Sequence, residues 1–551
     1  MESTPADSQP SDPHEGKPPS GPEEESAPPP GEVYQHRSTV AAKAFRGLFW
    51  MASTGLGSRL VSLLSTLLLT RYVVPEDYGE VQNTFVVVWM IDLLTQVGLP
   101  QYIASRADLT PKKIAHAVFY FHLFGAVGLT LCLFLARPLG PVLGTPNMHL
   151  YMPGFVVGTL LQRVATIPDR LLVRELRFRA SSVIRAAAEV VYAVMSLGLA
   201  ALGTRLDFRV AGVAIAFGGG FAIVWGGIAR GLFRVAASAA VSPPRQWFSI
   251  ARPDRATTRE LFGFGVPITL ANLGSLGARR WDNLTIASLY GAGASGIYNF
   301  AYNLADVPPT VVGEALGDVL APSFAKVAPE DRPKEVIRWV GISSLVCFPL
   351  GVGLSAVADS LKWLFNDRWL PAVPMIVLLC SLSLTRPVIG TLFSYLQMLG
   401  RTRTLMILEW MKAGGVVVGI YGVGRLLRAT APALDAKYGP LLACAAIGVV
   451  YFANTLGYQI VAARASGFPA TRLITPMFRP LLACAPMVLA VLAVRFAFGD
   501  VQSKGVLVVR LVCEIVAGGL VFAVSAWFIA RRVSTELVEL AKGLLAKRRG
   551  G

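Results

Sequence analysis

Long apolar segments recur through this chain and limit the folds that it can adopt. A membrane-spanning helix needs about 20 mostly apolar residues, and the sequence holds about fourteen segments of that length. They lie near residues 45–70, 80–99, 114–136, 149–169, 181–203, 208–229, 261–290, 295–322, 337–358, 371–398, 404–424, 439–462, 477–498 and 507–530. The segments are too long, and too often interrupted by Gly, to be barrel strands. Only 15% of the residues are charged and the mean hydropathy is +0.54, so we predict an all-α polytopic membrane protein.

The first 40 residues differ from the rest of the chain. They are rich in Pro, Glu and Ser and hold few apolar side chains, so they cannot bury enough surface to fold. They lack the basic start and the apolar core of a signal peptide. We expect a disordered cytoplasmic tail, which acts as a spacer or as a docking segment.

The basic charge is concentrated on alternate connections between the segments. The 40-residue tail carries −6, and because the whole chain carries +17, the remainder carries +23. By our count about three basic residues lie on one side for each on the other, with Arg425, Arg428 and Lys437 as the exception. The positive-inside rule then places both termini in the cytoplasm. The charge indicates topology and contact with anionic membrane lipids, and no nucleic-acid partner.

An internal repeat divides the chain. Aligning the turn before Gly79 with the turn before Gly296 gives an offset of about 217 residues. Gln162-Arg163 matches Thr385-Arg386, and Arg177 matches Arg401, at offsets of 223 and 224. Six helices per copy is an even number, so we expect two parallel bundles related by a pseudo-two-fold axis along the membrane normal, plus two C-terminal helices. Transporters of this kind hold their substrate between the halves.

The repeat leads to six predicted parts. They are a disordered tail at 1–40, an N-terminal six-helix bundle at 41–230, a cytoplasmic linker at 231–258, a C-terminal six-helix bundle at 259–464, two extra transmembrane helices at 465–532 and a basic cytoplasmic tail at 533–551.

Arg59 lies deep in the first apolar segment. It is about 21 Å from Phe45 and about 17 Å from Thr70 along a helix, which is mid-bilayer. A guanidinium at that depth is costly and usually faces a cavity or a partner. We predict that Arg59 lines a cavity, with a structural pair to Asp92 as the alternative.

The second half repeats this feature with Arg279 and Arg280. An offset of 217 places Arg59 at Leu276, one helical turn away. We predict that both arginines face the same cavity. The alternatives are snorkelling to the outer headgroups and an intrahelical pair with Asp282, three residues from Arg279.

Further ionisable residues lie within other apolar segments. Arg163 and Arg386 are predicted to contact substrate, with interfacial snorkelling as the alternative. Asp92 and Asp306 are predicted to titrate with transport or to neutralise the arginines. Local ion pairs are predicted for Glu189, Glu409, Lys412 and Glu514.

Several arginines in one cavity predict an anionic substrate. Arginine keeps its charge at low dielectric and offers a planar fork of donors to phosphate or carboxylate. The six cysteines are scattered singly and the five histidines form no cluster, so the sequence predicts no metal site, no cofactor and no catalytic centre.

Four stretches of sequence resemble a known family. They are the run from Phe49-Trp50 to Thr70 followed by Tyr72-Val-Val-Pro-Glu-Asp-Tyr-Gly, the basic run 174–180, the stretch from Asp282 to Tyr302, and Gly400-Arg-Thr-Arg403. Together they resemble the bacterial oligosaccharide flippases of the polysaccharide transporter family, within the multidrug/oligosaccharidyl-lipid/polysaccharide exporter superfamily. The resemblance covers residues 45 to 530, and the acidic, Pro-rich tail departs from it.

The resemblance implies a function and a location. It implies that polyprenyl-pyrophosphate-linked oligosaccharide repeat units are flipped across the bacterial inner membrane, for O-antigen, capsule or exopolysaccharide synthesis. It also implies a cationic cavity between two bundles, and an arginine placed like Arg59 on the first helix. The implied partners are the lipid-linked oligosaccharide, membrane lipids, and polysaccharide polymerase and chain-length or export proteins.

Two other functions stay open at this point. A multidrug or cation antiporter of the same superfamily is disfavoured because buried arginines outnumber buried carboxylates. A membrane glycosyltransferase or polymerase could use Glu76-Asp77 as an acidic motif, but a tight turn from Pro75 to Gly79 explains these residues better.

Overall fold

The chain is helical through almost all of the part that the structure describes. The computed structural model describes residues 57–59, 61–105, 110–175, 177–203, 208–210, 213–215, 217–241, 254–310, 328, 330–499 and 503–539. The predicted tail at 1–40, the basic residues at 540–551 and the linker residues 242–253 lie outside this part.

Within the described residues, the first half contains seven helices. They are α1 Gly57–Leu69, α2 Pro75–Gln96, α3 Leu99–Ser105, α4 Pro111–Val142, α5 Met148–Arg174, α6 Phe178–Gly203 and α7 Gly220–Val241. Glu76 and Asp77 lie in the first turn of α2, so the predicted tight turn from Pro75 to Gly79 is wrong. Proline at the first helical position and acidic residues in the first turn both favour a helix start.

The sixth apolar segment differs from its prediction at 208–229. A short antiparallel hairpin, β1 Phe208–Val210 and β2 Val213–Ile215, precedes α7 and pairs Phe208 with Ile215. Helix α7 begins at Gly220 and extends to Val241, past the predicted bundle boundary at 230. Gly218, Gly219 and Gly220 disfavour a helix through this region, and Gly219 has a φ of 56°.

Helix α8, Arg255–Ala305, joins two predicted segments. Those segments, 261–290 and 295–322, meet at Gly291, whose φ of 83° and ψ of 173° break the helix. Only glycine adopts this conformation without strain. Residues 311–322 of the second segment lie outside the described part.

The second half continues with seven helices that lie wholly within the described residues, and with two 3₁₀ turns. The helices are α9 Arg332–Val357, α10 Ala372–Leu379, α11 Leu382–Met398, α12 Thr402–Thr430, α13 Pro432–Ala465, α14 Thr471–Phe498 and α15 Lys504–Ile529, and the 3₁₀ turns are Ala358–Leu364 and Asp367–Trp369. The segment predicted at 371–398 is therefore broken into two helices, α10 and α11, and the bend between the Asp367–Leu379 and Leu382–Met398 stretches is 45°.

Many of these helices can cross a membrane. Within the described residues nine are long and apolar enough, or ten if the bent pair forms one span. Helices α2 and α8 fall outside that count because they carry polar residues such as Asn83, Asp92, Asp282 and Asn283. The chain is thus a multi-pass membrane protein, and the total of fourteen spans stays a prediction.

The two halves meet along α2 and α8. Helices α2, α4, α5, α6 and α7 pack together in the first half, and α9 to α13 pack in the second, with α14 and α15 against α9. Helix α2 packs along much of α8, which also contacts α12. The candidate functional site lies beside this contact between α2 and α8, which we call the seam.

Candidate functional site

A polar cavity of about 360 Å³ lies between the helices of the first half and α8. Its charged lining residues are Arg59, Glu189, Arg230, Arg280 and Asp306. A pocket of this size is at the lower end of the range for small-molecule sites. Because α8 supplies Arg280 and the α8 C-cap residue is Asp306, both halves contribute to the cavity.

Arg59 and Arg280, which the sequence places at a cavity, are among the residues that line this one. Arg59 lies on α1 and is half-buried. The guanidinium carbon of Arg280 lies 5.9 Å from the ring centre of Trp89 on α2. The predicted alternative for Arg59, an ion pair with Asp92, does not form, because Asp92 pairs with Arg163.

Arg230 is a cavity cation that the sequence analysis missed. Its guanidinium lies 3.2 Å from Glu189 on α6 and 5.0 Å from the ring centre of Tyr192. The predicted sixth segment ended at residue 229, which left Arg230 outside the helix as a connection residue. The glycines at 218–220 are the signal that shifts the helix and brings Arg230 inside it.

The sequence prediction that Arg163 contacts substrate does not match its position. Arg163 is 3% exposed and its side chain does not line the cavity. Its guanidinium lies 2.6 Å from the carboxylate of Asp92, donates to the hydroxyl and carbonyl of Thr95 at 2.8 Å, and donates to the carbonyl of Phe121 at 3.1 Å. Through these contacts the Arg163 guanidinium links α5 to α2 and α4, and Asp92 is its counter-ion.

Arg386 is also engaged inside the protein. It forms an ion pair with Asp306 and donates hydrogen bonds to Tyr302 and, at 3.2 Å, to Tyr451. Arg386 does not line the cavity, whereas Asp306 does. The pair joins α11 to the end of α8.

Among the described side chains, Asp282 forms no ion pair with an arginine. Its side chain is 1% exposed and accepts a hydrogen bond of 2.5 Å from the hydroxyl of Tyr298 and one of 2.8 Å from the backbone of Asn283. The side chain of Arg279 lies outside the described part of the structure.

The predicted local ion pairs are confirmed. Lys412 lies 2.7 Å from Glu409, and Glu514 lies 3.3 Å from Arg495 and 3.7 Å from Arg510. Glu189 pairs with Arg230 as described above. The Glu189–Arg230 and Glu514–Arg495 pairs join neighbouring helices, whereas Lys412–Glu409 and Glu514–Arg510 lie within one helix each. Of these pairs, the Glu189–Arg230 pair lines the cavity.

The uncharged part of the cavity wall combines carboxamides with aromatic rings. Gln82 and Gln162 line it, and neither side-chain amide hydrogen-bonds to another described residue. Phe85 and Phe155 lie beside them, with ring centres 5.7 Å apart. Amides donate and accept hydrogen bonds, so this wall can bind hydroxyl groups while the arginines bind an anion.

Comparisons with known proteins agree on one family. A family model described as polysaccharide biosynthesis protein matches residues 68–374. The chain is 25% identical over 518 residues to the succinoglycan biosynthesis transport protein ExoT of Rhizobium meliloti, covering 92% of this chain and 97% of that protein. It is 22% identical over 410 residues to the lipopolysaccharide biosynthesis protein WzxC of Escherichia coli, covering 70% and 78%.

Solved structures show the same fold. The lipid II flippase MurJ in an inward closed conformation has a TM-score of 0.61 at 12% identity, covering 88% of this chain and 99% of that one. An inward-facing multidrug resistance transporter of the MATE family has a TM-score of 0.58 at 14% identity, covering 74% and 96%.

Proposed function

The chain belongs to the polysaccharide biosynthesis protein family, and from this premise we propose that it flips lipid-linked oligosaccharides across the bacterial inner membrane. The observation that carries the proposal is the set of three guanidinium groups, Arg59, Arg230 and Arg280, on one cavity between the two halves. The relatives named as a succinoglycan transport protein and a lipopolysaccharide biosynthesis protein support the same substrate class.

The three cations lie near one depth. Leu69 and Tyr78 line one end of the cavity. Arg59 is about 15 Å from Leu69 along α1, and Trp89, beside Arg280, is about 16 Å from Tyr78 along α2. Arg230 is about 15 Å along α7 from Gly220, which packs against Val81 near the start of α2. A single anionic group can therefore contact cations from both halves at once.

Guanidinium groups suit a diphosphate. Each offers a planar fork of donors and stays charged at low dielectric, and an anion held between several of them gains charge-assisted hydrogen bonds. The sugar next to the diphosphate would contact Gln82, Gln162 and the aromatic rings. The polyprenyl chain would remain in the bilayer, beside the exposed apolar side chains of the outer helix surfaces.

The cavity is too small for a complete repeat unit. Its 360 Å³ lies at the lower end of the range for sites that hold one small molecule, whereas a repeat unit contains several sugars. The two halves must therefore separate to admit the headgroup, as in alternating access. Directionality then requires a coupled ion or removal of the product, since binding alone shifts no equilibrium permanently. Asp306 is our candidate for binding that ion, because it lines the cavity although it also pairs with Arg386. Asp92 and Asp282 do not line the cavity.

The proposed orientation follows the charge distribution. Both termini would lie in the cytoplasm, with the arginine end of the cavity nearer to the cytoplasm than the end at Leu69 and Tyr78. The transport names of the relatives favour a transporter over an enzyme. Polysaccharide polymerase and chain-length or export proteins are the partners we propose for this pathway.

Binding to the purified full-length protein tests the proposal. We expect geranylgeranyl diphosphate to bind, and each of Arg59→Ala, Arg230→Ala and Arg280→Ala to weaken it by about ten-fold or more. Arg425→Ala, which changes an exposed arginine away from the cavity, is the control. In cells, the three cavity variants should block surface polysaccharide export at normal protein abundance.

The antiporter alternative gives the opposite result. An antiporter for organic cations would raise drug resistance on overexpression, leave surface polysaccharide unchanged, and bind a cationic probe better after removal of Arg230 or Arg280. Normal export of surface polysaccharide by all three alanine variants would contradict the flippase proposal.

A further inference from the structure

A second site, separate from the central cavity, lies on the seam between the halves. A pocket of about 440 Å³ is formed by Tyr120 on α4 and by Asp254, Arg255, Thr258, Arg259 and Phe262 at the start of α8. It shares no lining residue with the central cavity.

The pocket carries an excess of positive charge. Arg255 and Arg259 are exposed, and neither forms an ion pair with another described residue. The nearby acids are engaged: Glu260 lies 2.8 Å from Lys113, and Asp254 accepts a hydrogen bond of 3.0 Å from Thr257, which lowers the pKa of Asp254. Two guanidinium groups thus remain available for an anion.

The inner wall of the pocket is aromatic. Tyr120 stacks on Phe124 with ring centres 5.6 Å apart, and Phe262 packs edge-on against both rings at 5.8 Å and 5.7 Å. The hydroxyl groups of Tyr120 and Thr258 lie 3.0 Å apart at the mouth. Cations and hydroxyl groups around an apolar wall match a ligand with an anionic head and an apolar body.

The same region ties the two halves together. Glu260 on α8 accepts a hydrogen bond of 2.8 Å from Tyr102 on α3 and pairs with Lys113 on α4. Leu261 is fully buried in a cluster with Leu99, Tyr102 and Phe121. Any ligand that contacts both Tyr120 and the arginines of α8 would therefore add to this closure.

We propose that this pocket binds the phosphate group of an anionic phospholipid of the inner leaflet and so stabilises closure of the cytoplasmic side. Basic pockets between transmembrane helices on the cytoplasmic side bind anionic headgroups, and the cytoplasmic leaflet is rich in such lipids. The assignment of this pocket to the cytoplasmic side rests on the orientation proposed above. Binding of the phospholipid to the pocket does not depend on that orientation. Lipid at this site would regulate the opening of the central cavity, because opening separates α4 from α8.

Native mass spectrometry of the full-length protein in detergent tests the proposal. Phosphatidylglycerol should bind more tightly than phosphatidylethanolamine. Arg255→Ala or Arg259→Ala should weaken phosphatidylglycerol binding about five-fold, because each removes one screened charge contact with the phosphate. The double variant removes both contacts and should weaken binding about thirty-fold. Arg255→Lys/Arg259→Lys keeps the charge and should retain most of the binding.

The matched control is Arg401→Ala/Arg403→Ala. These two arginines are also exposed at the start of a helix, α12, on the same predicted side, but they line neither the central cavity nor the second pocket. Equal loss of lipid binding in the two double variants, or displacement of the lipid by inorganic phosphate at equal concentration, would overturn the proposal.

This experiment is independent of the proposed transport function. It measures lipid on purified protein without transport substrate, and the central-cavity arginines are untouched. If geranylgeranyl diphosphate binds normally but lipid binding does not depend on Arg255 and Arg259, only the lipid-site proposal is contradicted. If lipid binding depends on these arginines but the diphosphate does not bind, only the flippase proposal fails.

Discussion

Gly79 on α2 and Gly296 on α8 lie directly against each other, and the contact is reciprocal. A Cβ atom on Gly79 would overlap the carbonyl of Ala292, four residues before Gly296, and a Cβ atom on Gly296 would overlap the carbonyl of Pro75, four residues before Gly79. Each Cβ would also lie within 3 Å of the other glycine's backbone nitrogen. The two glycines are the pair that the internal repeat aligns. Residues related by a two-fold axis meet in this reciprocal way on the axis, so the contact marks the pseudo-two-fold axis of the molecule.

Adding a methyl group to this contact should force α2 and α8 apart. We expect Gly79→Ala and Gly296→Ala to open the seam at the outer end and to shift the protein away from the closed conformation, because the overlapping atoms belong to backbone and cannot rotate away. Labelling of Ser295→Cys by a membrane-impermeant maleimide measures the change, since Ser295 is fully buried in this conformation. The variant Gly414→Ala is the control, because Gly414 is exposed with open space around its α-carbon. Labelling that is equally slow in all variants would contradict the expectation.

Arg163 should be required for stability and not for substrate binding. It is buried in an ion pair with Asp92, and removing one partner of such a pair costs about 3–5 kcal/mol. We expect Arg163→Ala to lower the unfolding temperature in detergent strongly. The double variant Arg163→Met/Asp92→Leu should recover much of the loss, because it leaves no buried charge unpaired.

The contrary result for Arg163 is equally specific. If Arg163→Ala keeps the unfolding temperature of the wild type but loses affinity for geranylgeranyl diphosphate, then the guanidinium reaches substrate in another conformation. The sequence-based assignment of Arg163 to the substrate site would then be correct.

Glu189 should compete with the substrate for Arg230. The two side chains lie 3.2 Å apart, and both line the cavity. An incoming diphosphate must displace the carboxylate to reach the guanidinium. We expect Glu189→Gln to bind geranylgeranyl diphosphate up to about five-fold more tightly, the effect of one partly exposed ion pair. Equilibrium titration of wild type and variant at two salt concentrations checks this, and weaker binding by the variant would count against a role of Arg230 in anion binding.

The sequence predicted the helical membrane fold and part of the site, and the reason for each outcome is physical. Arg59 and Arg280 were identified because a guanidinium within an apolar segment is costly to bury wherever its side chain points. Arg163 has the same sequence signature, and only the packing of α5 against α2 shows that Asp92 neutralises it. Periodicity and hydropathy do not specify which helices are neighbours.

Arg230 shows a second limit of the sequence. Its depth depends on where α7 begins, and an apolar hairpin at 208–215 extends the hydropathy signal upstream of the helix. The predicted segment was therefore displaced toward the N-terminus, and Arg230 was counted as a connection residue. Three consecutive glycines were the available sign of the true boundary.

Arg428 should prove structural, which would explain why a basic residue lies in a connection that the charge pattern places outside. Its guanidinium lies 3.1 Å from Asp435, donates to the carbonyl of Leu289, and lies 5.5 Å from the ring centre of Tyr290. Tyr290 in turn donates a hydrogen bond of 3.0 Å to Asp435. The cluster holds the junction of α12 and α13 against the break in α8 at Gly291.

We therefore expect Arg428→Ala to loosen that junction without changing the orientation of the chain. The guanidinium is about half exposed, so the loss of stability should stay near or below about 1 kcal/mol, which appears as a lower unfolding temperature in detergent. Arg425→Ala removes the same charge from an exposed position in the same helix and should leave the unfolding temperature unchanged. Cysteine accessibility on each side of the membrane should report the same topology for both variants. A reversed topology in Arg428→Ala would mean that this arginine acts through the charge balance of the connections and not through its contact with Asp435.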